Sequence, residues 1–103
     1  MVAQILNTKT NKPIVDQTKA YYFLINNVQM IDGRLKATLL GNEVLEDFDS
    51  IKEIIPKYLP LKENEELCIY TCDERYIHHF TYDNHPTIDD VISYINDFLN
   101  KTE

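Results

Sequence analysis

Hydrophobic and polar positions alternate most clearly in residues 21–40. YYFLINNVQMI is followed by Asp32-Gly33 and then by RLKATLL. Asp-Gly between two alternating segments is a strong hairpin signal, because a type I′ turn needs positive φ at both central positions. The implied register pairs Ile31 with Arg34, Met30 with Leu35 and Val28 with Ala37. Val28, Met30, Leu35, Ala37 and Leu39 then share one face, and Gln29, Arg34, Lys36 and Thr38 the other. Asn26-Asn27 interrupts the first segment and predicts a bulge; a second tight turn would leave a strand of only four residues. Gly41-Asn42 reads as the end of the second strand.

A second hairpin is predicted in LCIYTCDERYIHHFTYD, with strands over residues 67–72 and 76–82 rich in β-branched and aromatic side chains. Its turn is either Asp73-Glu74 or the four residues 72–75. The shorter loop places Cys68 opposite His79, Ile69 opposite His78 and Tyr70 opposite Ile77. Leu67, Ile69, Thr71, Tyr76, His78, Phe80 and Tyr82 then form the better core face. Cys68, Tyr70, Cys72, Arg75, Ile77 and His79 form a second face, less polar than a plain solvent face. Short apolar runs at residues 2–6 and 14–15, either side of a polar loop, read as a further hairpin.

Two helices are predicted from a period near 3.6. Phe48, Ile51, Ile54, Ile55, Tyr58 and Leu59 recur at helical spacing over about 47–59. Asp47, Asp49 or Ser50 is the candidate N-cap, and Ser50 with Glu53 matches a capping box. Pro56 should kink or stop this helix, since it lacks a donor and crowds the preceding turn. Ile88, Val91, Ile92, Ile95, Phe98 and Leu99 lie on one face of a second helix, about 87–100. Thr87 is its cap, and Asp89 and Asp90 suit the helix dipole. These elements give a single α+β domain over residues 1–103, an antiparallel sheet of hairpins with both helices packed on one face.

Composition bounds the function. The 103 residues are 44% hydrophobic, which is globular rather than disordered. No apolar run approaches the ~20 residues of a membrane-crossing helix, and the N-terminus lacks a signal-peptide pattern. The expectation is a cytoplasmic protein with reduced cysteines and no membrane partner. Net charge is −7 and unevenly spread. Residues 1–40 hold two acids and five bases, whereas residues 41–103 hold fifteen acids and five bases. That distribution argues against direct nucleic-acid binding, which needs a basic stripe, and suits a protein partner with a basic surface.

Candidate chemistry is sparse. Cys68 and Cys72 lie about 13 Å apart if both sit on a strand at ~3.3 Å per residue. They can share neither a metal nor a disulfide. Only one cysteine can join His79, and the spacing offers no third ligand, so no metal and no cofactor are expected. A thiolate–imidazole nucleophile at Cys68 and His79 is disfavoured in the acidic half of the chain. No phosphate-cradling or calcium-loop pattern occurs. The expectation is a non-enzymatic protein-binding module, an inhibitor, immunity or anti-defence factor. Its contact residues are Tyr70, Ile77 and His79 with the acids Glu63, Glu65 and Glu66, and a homodimer is one form of such association. The alternatives are a small-molecule or enzymatic pocket between sheet and helices near His78, and an oligomeric accessory protein.

Overall fold

The computed structural model describes residues 5–101. It is a four-stranded antiparallel sheet with two helices on one side. The strands are β1 (Tyr21–Ile31), β2 (Arg34–Leu45), β3 (Glu65–Thr71) and β4 (Tyr76–Thr81), in the order β2-β1-β3-β4. The helices are α1 (Phe48–Ile54) and α2 (Ile88–Lys101). Among the described residues no helix is long and apolar enough to cross a membrane.

The Asp32-Gly33 turn forms as its residues dictate, with φ of 52° and 77°. The pairs Ile31–Arg34, Met30–Leu35 and Val28–Ala37 all occur. The ladder is interrupted between Ile25 and Asn26, at the expected place, but the extra residue is Leu40 on β2. Gly41-Asn42 does not end the strand: β2 continues to Leu45 and pairs along the whole of β1. Gly41 is used for close approach instead. A Cβ there would lie 2.9 Å from the Tyr58 ring, so the glycine lets that ring pack on the strand.

Pro56 shortens α1 as expected. The helix stops at Ile54, and residues 55–58 continue as a 3₁₀ turn. Asp47 is the N-cap, accepting from the Ser50 N–H at 2.7 Å; Ser50 is buried rather than capping. At α2, Thr87 and Asp90 cap each other reciprocally: Thr87 N–H donates to the Asp90 carboxylate and Asp90 N–H to the Thr87 hydroxyl.

One face of the sheet and the two helices enclose the main core of Phe23, Ile25, Leu45, Leu67, Ile69 and Phe80 against Ile51, Ile55, Val91 and Ile95. Glu43 is buried on β2, and Lys57 reaches it at 3.2 Å from the 3₁₀ turn after α1. On the opposite face a smaller cluster of Ile14, Ala20, Val44 and Cys72 forms, with Ile5 and Tyr22 against it. The N-terminal segment therefore covers that face only near Cys72. Leu6 bridges Pro13, and Ile14 N–H donates to the Ile5 carbonyl. Most of the strand expected over residues 2–6 lies outside the described residues.

Candidate functional site

The side of the sheet away from the helices is where the unexplained side chains collect. Cross-strand partners project from the same face. Tyr22 pairs with Tyr70, Leu24 with Cys68 and Asn26 with Glu66, and on the other side of β3 Cys68 pairs with His79 and Glu66 with Thr81. The alternation on β1 continues past Asn26 to Val28 and Met30, whose partners are Ala37 and Leu35. One open face thus runs from Tyr70 through Cys68, His79 and Glu66 into the arm formed by the β1–β2 turn region. β3 stops pairing with β1 at Asn27, opposite Glu65; Val28 N–H still donates to the Asn64 carbonyl, and residues 29–31 of the arm have only β2 as a strand partner.

The arm's apolar face is left uncovered. Met30 is 65% exposed, Leu35 72% and Leu39 54%. The face split was legible in the sequence, but the apolar side does not enter the core. It lies on the side opposite the helices.

The register of the second hairpin departs from expectation at one residue. The turn takes neither expected length: Thr71 N–H donates to the Arg75 carbonyl, leaving the three residues 72–74 in the loop, with Glu74 at φ 71°. Cys68–His79 and Ile69–His78 pair as predicted, but Tyr76, not Ile77, faces Tyr70. The extra residue is Ile77, and it packs against the main core. Ile77 is therefore not part of the open face, whereas Tyr76 is, with its ring edge-on to Tyr70 at 6.0 Å. A three-residue loop is the cause: its one added residue moves Tyr76 opposite Tyr70, and the bulge at Ile77 restores the pairing of His78 with Ile69.

The two adjacent histidines have different surroundings. His78 stacks on Tyr94 of α2 at 3.7 Å and meets Phe80 edge-on at 4.4 Å. Burial there, with a smaller contribution from His79, lowers its pKa below the usual histidine value. The His78 ring is thus packed between β4 and α2. His79 lies on the open face, its Nε2 3.3 Å from Oε1 of Glu66.

The cysteines differ likewise. Both are free thiols. Cys72 is buried under the N-terminal segment, and burial, then Asp73 and Glu46, pushes its pKa up to about 11. Cys68 is half-buried, and its pKa is raised by burial first and Glu66 second. Both shifts run opposite to the lowering that activates a thiol.

The predicted acids do come together. Glu63, Glu65 and Glu66 line a cleft of about 340 Å³ with Asp83, Thr81, Tyr82 and Val28 at the base of the arm. At the other end of the open face, Ile5, Tyr22, Leu24, Tyr70 and Cys72 line a mainly apolar cleft of about 370 Å³. Sequence reasoning missed Met30, Leu35 and Leu39 as surface residues, and missed Tyr76. The signal that finds them is the β1–β3 register, which joins two distant stretches of chain. No protein-family model, curated protein or solved structure matches the chain.

Proposed function

We propose that the protein is a non-enzymatic binding module that docks another protein through the open face of its sheet. The observation that supports this reading is the apolar strip of Met30, Leu35 and Leu39 on the arm. It alternates as a core-facing strip does, yet these side chains stay largely exposed. An exposed apolar face on paired strands invites association. At the other end of the same face Tyr70 and Tyr76 present aromatic side chains of the kind that anchor interfaces.

The acidic cleft at the base of the arm supplies the charged rim. With Glu63, Glu65 and Asp83 beside an apolar strip, the surface suits a partner carrying lysines or arginines around an apolar centre. Such a partner is the target of an inhibitor or immunity factor acting by occlusion, inside the cell. A second copy of the chain is the other candidate occupant.

Sedimentation of the purified protein separates self-association from a foreign partner. Capture from native lysate at low and high salt then identifies the latter. A stoichiometric protein should be held, its association slowed about tenfold or more when Glu63, Glu65 and Asp83 are changed to lysine. A protein that is monomeric and captures nothing would refute the docking reading. A partner indifferent to both salt and charge reversal would refute the role of the acids.

A further inference from the structure

Glu66 and Cys68 are two residues apart on β3 and so project from one face, and His79 is the cross-strand partner of Cys68. The thiol sulfur, a carboxylate oxygen and a ring nitrogen all lie within 4.8 Å of one another. Nε2 of His79 is buried and makes no hydrogen bond, although Oε1 of Glu66 is only 3.3 Å away. Two such atoms, close but not aligned as donor and acceptor, are disposed like ligands around a common centre.

The geometry points to a three-ligand metal site, Glu66–Cys68–His79, for a zinc-class divalent ion. Metal bonds of ~2.0–2.3 Å in a tetrahedron set ligand atoms about 3.3–3.8 Å apart. The three atoms, all within 4.8 Å of one another, must draw somewhat closer to reach that spacing. The donor set is sulfur, nitrogen and oxygen, which suits zinc and excludes calcium and magnesium, whose shells are oxygen. Among the described residues the lysine and arginine ion pairs are Lys9–Glu53, Lys57–Glu43 and Arg75–Asp73, so Glu66 has no such partner. A divalent ion supplies the missing positive charge. As the metal–sulfur bond forms, the Cys68 thiol gives its proton to solvent; no redox change occurs.

Leu24, the other cross-strand neighbour of Cys68, offers no donor. Among the described residues no further histidine, cysteine, aspartate or glutamate joins the three, which leaves a fourth position for water or for a side chain of a docked partner. This departs from the expectation drawn from cysteine spacing, because the third ligand is a glutamate and Cys72 is not involved. It does not depend on the docking reading: the Glu63, Glu65 and Asp83 reversals leave all three ligands in place.

The test uses the full chain stripped with a chelator and titrated with Zn²⁺ by calorimetry and with Co²⁺ by absorption. One ion per chain is expected, with a thiolate-to-cobalt charge-transfer band. Affinity should fall by more than about tenfold in Cys68→Ala, His79→Ala and Glu66→Gln, and stay unchanged in Cys72→Ala. On the wild-type chain, where folding is not in question, Zn²⁺ should slow alkylation of Cys68 and leave Cys72 unaffected. No binding, a band that survives Cys68→Ala, or Cys68 labelling indifferent to zinc would each overturn the proposal.

Discussion

The two faces of β3 and β4 are made from alternate residues of the same short strands, yet they have little in common. Leu67, Ile69 and Phe80 are buried under the helices. Glu66, Cys68, Tyr70 and His79, one position away in each case, are half-exposed. His78 has its ring stacked on Tyr94, while His79 has a carboxylate and a thiol beside it. The difference teaches that the helices cover one side of the sheet, while the other is covered only near Cys72 and stays half-exposed elsewhere. A single-residue shift in register exchanges the two sides, as Ile77 and Tyr76 show.

The comparison breaks most severely from the covered side. Ile69→Ala removes a fully buried side chain from the main core and should cost about 2–5 kcal/mol. Ile77→Ser should cost less, about 1–3 kcal/mol, because that side chain is only partly buried against the same core. Denaturant unfolding of both variants checks the order. An Ile77→Ser variant as stable as wild type would return Ile77 to the open face.

A smaller effect sharpens the account of how α1 is held on the covered side. The Asp47 carboxylate accepts from the Ser50 N–H, and that backbone hydrogen bond, first among its causes, lowers the Asp47 pKa. Its folded pKa therefore lies below the unfolded value. The stabilisation is fully present above about pH 4 and is lost as pH falls through the folded pKa. Asp47→Ala should cost about 1 kcal/mol at pH 7, and the gap from wild type should close below that range. A gap constant with pH would show that the cap does not act through the ionised carboxylate.

The parts legible in the sequence were those set by neighbours along the chain. Asp32-Gly33 specified its turn and register, Pro56 ended α1, and Thr87 started α2. Cys68 opposite His79 came from the hairpin alone. The illegible parts required contacts between distant stretches. Gly41-Asn42 looked like a strand end because glycine is a poor strand residue; only the Tyr58 ring explains it. The apolar alternation of Met30, Leu35 and Leu39 reveals a face but not its covering, and the helices cover the other one. Glu66 as a neighbour of both Cys68 and His79 was accessible in principle, from strand alternation plus the predicted register. Cysteine and histidine spacing does not reach it, because one glutamate among so many acids carries no signal of its own.

The central claim is that the open face serves association and not folding. Changing Met30 and Leu35, which are cross-strand partners, to threonine keeps strand propensity and removes the apolar surface. Unfolding free energy and partner or self-association are then measured on the same preparation. The stability of the isolated chain should stay within about 0.5 kcal/mol of wild type, while association is lost. A double variant that unfolds as readily as Ile69→Ala, or one that associates as wild type does, would contradict the account.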